Sequence, residues 1–113
     1  MNIDEWRSQI KRGTLEFCIL LLISRAPRYG YEIISRLESR PIVAAKESTV
    51  YPLLRKLKSD GLLSTYLQEE SGGPPRKYYS LTELGKENLN AEREAYLQFS
   101  RVVNDMLEGR SDD

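Results

Sequence analysis

The chain of 113 residues has no histidine and one cysteine. The missing histidine removes the commonest metal ligand and general base. A lone Cys18 cannot close an intramolecular disulfide, and in its apolar surroundings it reads as a buried thiol, not a reactive one. Together these absences argue against a zinc site, and no metal or cofactor is expected. Long hydrophobic runs are missing too. The longest, FCILLLI at 17–23, lies between Glu16 and Arg25 and falls far short of the roughly 20 residues of a membrane span. It also lies too far into the chain, with no small-residue cleavage site after it, for a signal peptide. A cytoplasmic protein is expected. With no phosphate loop and no pair of carboxylates on a plausible cleft, catalysis is not expected either.

Formal net charge is zero, but it is unevenly placed. Residues 1–81 carry 13 Lys and Arg against 9 Asp and Glu, a balance of +4, and residues 82–113 carry 4 against 8, a balance of −4. A basic module joined to an acidic segment fits a reader of nucleic acid whose tail has another task. Hydrophobic residues make up 40% of the chain, enough for one small core that burial shared with a second subunit would help.

The apolar pattern predicts three helices in the first half. One spans Ile3–Ser24, with Trp6, Ile10, Thr14, Phe17, Cys18 and Leu21 on one face and Ala26-Pro27 ending it. A second runs from about Tyr29 to Ser39 and is stopped by Pro41. After a short loop, Ile42 to Lys46, a third runs from Glu47 or Ser48 to Ser59, with Gly61 in the left-handed cap position. The period then changes. Leu62–Glu69 and Arg76–Leu81 read as two strands around the SGGPP loop at 71–75. Thr82 caps a last helix that runs to about Leu107. The expected fold is α+β and mainly α: a winged helix-turn-helix of three helices and a β-hairpin wing over 1–81, a long dimerisation helix over 82–108, and a frayed tail at 109–113.

On the third helix, Val50, Leu54 and Leu57 turn inward with Leu53 at the edge. Ser48, Thr49, Tyr51, Pro52, Arg55, Lys56 and Lys58 occupy the other side, and Lys46 adds charge at the same end. Small hydroxyl residues let such a helix approach base edges closely, and Arg55 and Lys56 can reach bases or phosphates. Alone, this face equally fits an ordinary solvated helix, and Pro52 is tolerable only near the helix start. The hairpin adds Arg76 and Lys77 at its tip, where a DNA backbone or minor groove would lie, and Tyr79 and Leu81 on one face with Tyr78 and Ser80 on the other.

Gly13-Thr14-Leu15-Glu16, YGYEI at 29–33, STVYPLLRKLKSDGLL at 48–63 and GPPRKYYSLTELGKENL at 73–89 resemble the PadR family of bacterial transcriptional regulators. Residues 10–90 match in register, and the single C-terminal helix resembles the family's small subgroup. The resemblance implies a homodimeric repressor that often answers to small aromatic or amphipathic compounds. It gives Ser48, Thr49, Tyr51 and Pro52 the recognition-helix role and Arg76 and Lys77 the wing role. One departure stands out: the loop PIVAAK offers only Lys46 as a polar contact.

In the last helix Glu92, Tyr96, Phe99, Val103 and Met106 follow 4-3-4-3 spacing, a coiled-coil-like seam. The seam packs either on the first helix of its own chain or across a two-fold axis, the expected interface comprising Trp6, Ile10, Tyr96, Phe99, Val103 and Met106. Tyr96, with Trp6 and Phe99, is a candidate wall for a flat aromatic ligand, against ordinary interface packing as the plainer account. The expected function is a ligand-relieved repressor bound to double-stranded, pseudo-palindromic DNA. A regulator without a ligand and a winged-helix module for protein contacts remain as alternatives.

Overall fold

The computed structural model describes residues 2–70 and 72–110. Met1, Ser71 of the expected loop and 111–113 of the expected tail lie outside the described residues.

Helix α1 spans Ile3–Arg25. The Asn2 side chain accepts a hydrogen bond from the Glu5 N–H at 2.8 Å, and Asp4 and Glu5 complement the positive helix start. The helix runs unbroken through Gly13 and ends where Ala26, preceding Pro27, is extended. The apolar stripe expected from Trp6 to Leu21 lies on a different face of the helix from its core. Leu15, Ile19, Leu20 and Ile23 are buried, whereas Trp6 and Ile10 are exposed and Phe17, Cys18 and Leu21 half-buried. Around 17–23 the helix is apolar on every side, so periodicity alone could not choose between faces.

The wing is also larger than a hairpin. Strand β1, Arg28–Tyr29, precedes helix α2, Gly30–Glu38, so α2 begins one residue later than expected. A 3-10 turn at Pro41–Val43 occupies part of the expected loop and leads to helix α3, Glu47–Ser59. Strands β2, Leu63–Gln68, and β3, Arg76–Leu81, complete an antiparallel sheet of order β1-β3-β2. Tyr29 pairs with Tyr78, and the hairpin register runs from Leu63 opposite Leu81 to Gln68 opposite Arg76. Helix α4 is Glu83–Leu107.

One core joins all these elements. Ile19 and Leu20 of α1, Ile33 and Leu37 of α2, and Val50, Leu54 and Leu57 of α3 are fully buried, with Leu63, Tyr79 and Leu89 against them. Arg28, only 9% exposed, ties the sheet edge to both neighbouring helices. Its Nε donates to the Leu22 carbonyl at 2.9 Å and its Nη1 to Glu32 at 3.0 Å. Buried so, the guanidinium keeps both a neutral and a charged partner, as burial demands. At the other end, Gly61 takes the left-handed conformation expected of it, φ +81°. Thr82 Oγ1 accepts from the Gly85 N–H at 2.9 Å and donates to the Gly61 carbonyl at 2.6 Å. This hydroxyl locks the start of α4 to the turn that ends α3.

Candidate nucleic-acid interface

Successive helical residues are about 100° apart, so residues two apart lie on nearly opposite flanks. With Val50, Leu54 and Leu57 inward, the outward strip of α3 is Ser48, Pro52, Arg55 and Ser59, all exposed. Tyr51 and Lys58 fall on the flank towards the sheet, where Lys58 Nζ donates to Thr65 of β2 at 3.0 Å. Thr49 and Lys56 fall on the flank towards α1, where Lys56 Nζ meets Glu16 at 3.0 Å.

Pro52 stands in the second turn of α3, not at its start, and the helix continues through it. Proline has no N–H, so the Ser48 carbonyl loses its usual helical donor on the outward strip. Tyr51 is half-buried, its ring over Gly30, so it serves the packing as well as the surface.

Between α3 and the sheet lies a cleft of about 550 Å³, lined by Tyr29, Tyr31, Tyr51, Arg55, Arg76 and Lys77 among others. Arg76 is held by the edge strand: its guanidinium carbon sits 4.5 Å from the centroid of the Tyr29 ring. Tyr29 meets Tyr78 edge-on at 5.5 Å, and Tyr78 stacks on Tyr66 at 5.6 Å. Tyr78 also donates to Glu70 at 2.5 Å, which pushes its pKa up to about 12. This aromatic row covers the outer face of the sheet while Tyr79 enters the core, as strand alternation required. β1 supplies Tyr29, and sequence reading had no signal for so short a strand.

Lys46, Ser48, Thr49, Pro52, Arg55, Arg76 and Lys77 thus lie exposed around one surface. Among the described residues, Lys46, Arg55, Arg76 and Lys77 form no carboxylate pair. Lys56 differs. It bridges Glu16 and Asp60, and the Glu16 carboxylate raises its pKa above the ordinary lysine value.

On the far side of the fold, no residue of α4 beyond Leu89 is buried. Tyr96, Phe99, Val103 and Met106 project at the expected spacing, and Phe99 is 70% exposed. The Tyr96 ring packs on Phe17 of α1 in its own chain, centroids 5.4 Å apart. Beside that pair is an apolar cavity of about 340 Å³, whose wall includes Ile10, Phe17, Cys18, Val43 and Tyr96. Trp6 and Phe99 are not part of that wall. Burial pushes the Cys18 thiol pKa up, in keeping with an unreactive packing residue.

Three helices, a three-stranded wing and an exposed α3 strip flanked by cations define a winged helix-turn-helix of the DNA-binding type. The family model described as the transcriptional regulator PadR-like family matches residues 19–91, and the chain belongs to that family. Its class is one of transcriptional regulators, not enzymes. The chain is 36% identical to a PadR-like transcriptional regulator of Bacillus cereus, covering 90% of this chain and 99% of that one, with a TM-score of 0.83. A PadR family transcriptional regulator of Eggerthella lenta is 30% identical over 94% of this chain and 92% of its own, with a TM-score of 0.78. The negative transcriptional regulator PadR of Bacillus subtilis is 32% identical over 78 residues, 67% of this chain and 43% of that protein. Among the described residues no helix is long and apolar enough to cross a membrane.

Proposed function

We propose that the chain is a homodimeric repressor that binds a pseudo-palindromic operator in the cytoplasm, with residues 1–81 reading DNA and α4 holding two copies together. The observation that carries this reading is the outward strip of α3 beside uncompensated Arg55, Arg76 and Lys77. Ser48, Thr49, Tyr51, Pro52 and Arg55 address base edges, and Lys46, Lys56, Arg76 and Lys77 the backbone. The Lys56 pair with Glu16 is solvent-exposed, and such pairs are weak enough to give way to a phosphate. The sign of regulation rests on the Bacillus subtilis relative, described as a negative regulator.

The exposed stripe of α4 supports pairing across a two-fold axis, joined by Trp6 and Ile10 at the open end of α1. Burying a side chain of the size of Phe, Met or Val is worth roughly 1.5–3 kcal/mol, so such a stripe gains most from a second copy. The contact of Tyr96 with Phe17 supports a share for the chain's own α1 as well. The apolar cavity beside Tyr96 supports relief by a small flat aromatic compound, with Trp6 and Phe99 closing the site from the dimer partner's side. A ligand wedged there would alter the separation of the two recognition helices and so the DNA affinity.

A salt-titrated mobility-shift assay tests the DNA reading. Affinity should fall steeply as salt rises, with one set of sequences retained over random competitor. A module for protein contacts would give no sequence-selective shift at any salt.

A further inference from the structure

A second cleft, of about 630 Å³, opens on the other flank of α3, and its wall includes Ser8, Lys11, Arg12, Lys46, Ser48 and Thr49. Its cations come from two separate elements, the N-terminal half of α1 and the residue that precedes α3. Lys11 is half-buried, and its Nζ donates to the Ala44 carbonyl at 2.9 Å. That bond fixes the ammonium at the cleft without neutralising it, because the acceptor is uncharged. Arg12 is exposed and, like Lys11 and Lys46, has no carboxylate partner among the described residues. Glu38 is the one carboxylate in the wall. Asp4, the acid nearest the start of α1, is occupied by Arg7 at 3.5 Å.

The position of this cleft gives it meaning. The wing cleft holds the Tyr51 flank of α3, and this one holds the Thr49 flank, about 200° round the helix. The major groove is about 12 Å wide, close to the diameter of a helix with its side chains. A helix seated there therefore has a phosphate backbone on each side. On the DNA-binding reading, the wing cations Arg76 and Lys77 lie on the flank towards one backbone, and the present cleft lies on the flank towards the other.

We infer that the basic edge of α1, Arg12 with Lys11 and Lys46, binds the second phosphate backbone bordering the groove, so that α3 is clamped from both flanks. This rests on the DNA-binding reading and adds α1 to the surface that carries it. Arg12 is the principal contact: it is exposed and forms no ion pair among the described residues, although Glu38 shares this wall and Asp4 and Glu5 share the adjoining one. Lys11 sets the local potential while bracing the turn before α3, and Ser8 lines the same wall.

The test is phosphate-ethylation interference on a duplex selected by the wild-type protein, with Arg12→Ala, Arg12→Lys and the Arg76→Ala/Lys77→Ala double variant compared. Wild type should show interfering phosphates on both borders of each contacted groove. Arg12→Ala should lose those on one border, and the wing variant those on the other. Arg12→Ala should also bind selected and random duplexes several-fold more weakly, with the log-log salt slope shallower by about 0.9 per protomer. Arg12→Lys should recover most of that loss, at a melting temperature matching wild type. The inference is overturned if Arg12→Ala keeps the wild-type pattern and slope while the wing variant loses its own. It is equally overturned if the loss tracks a lowered melting temperature that Arg12→Lys shares. Wild-type protein that selects no duplex at all defeats the DNA-binding reading itself, a result distinct from either.

Discussion

The ring of Tyr51 lies directly over Gly30, in the space where any other residue at that position would place its Cβ. The first residue of α2 and the Tyr51 flank of α3 are therefore fitted to each other. Gly30→Ala should push the ring off its seat and destabilise the fold by about 1–3 kcal/mol, the usual result of overfilling a packed site. Urea unfolding measures it. Adding Tyr51→Ala should recover part of the loss from Gly30→Ala, since contacting residues are not additive.

The two sides of the DNA surface should separate by the kind of defect they give. Arg76→Ala with Lys77→Ala should weaken binding to every duplex and flatten the salt dependence. Thr49→Ala or Tyr51→Phe should instead change which sequences are preferred. Parallel titrations of selected and random duplexes distinguish the two, and a wing variant that binds like wild type would remove the wing from the interface.

Self-association should depend on the far end of α4. Phe99→Glu with Met106→Glu places two charges on its exposed apolar stripe. Light scattering at micromolar concentration should show a dimer for wild type and a monomer for this variant, with the helical signal of the folded core retained. Operator affinity should fall with it, because two linked half-sites are replaced by one.

The Tyr78–Glu70 bond predicts an alkaline effect with a definite sign. The carboxylate next to the phenol, with desolvation adding to it, lifts the Tyr78 pKa from 10.0 to about 12. The neutral phenol is therefore the favoured form in the fold. The stability that it contributes is complete below about pH 10 and is lost as pH rises through about 12. Spectrophotometric titration should show Tyr78 ionising late, as burial also makes Tyr79 do, and Tyr78→Phe should remove one of these late ionisations and flatten the loss of stability in that window.

Much of this was readable beforehand because local chemistry dictated it. Gly61 and Thr82 settled the end of α3 and the start of α4, and alternation put Tyr78 and Tyr79 on opposite faces of β3 without saying which face is the core. The inward face of α3 followed from Val50, Leu54 and Leu57. What failed to show had physical reasons. β1 is two residues long and exists only by pairing with β3, so Arg28 and Tyr29 carry no period. The core face of α1 was hidden by apolar residues on all its sides. Lys11 and Arg12 carry no signal in the sequence, since their place beside Thr49 depends on how α1 and α3 lie together. The binding of Lys56 to Glu16, 40 positions apart, was out of reach for the same reason.

The most direct test is selection of binding sites from random duplex DNA by the wild-type protein. The account predicts enrichment of a pseudo-palindrome whose half-sites are centred about 10 bp apart, one turn of the helix. No enrichment, or enrichment of a single unpaired half-site, would contradict it.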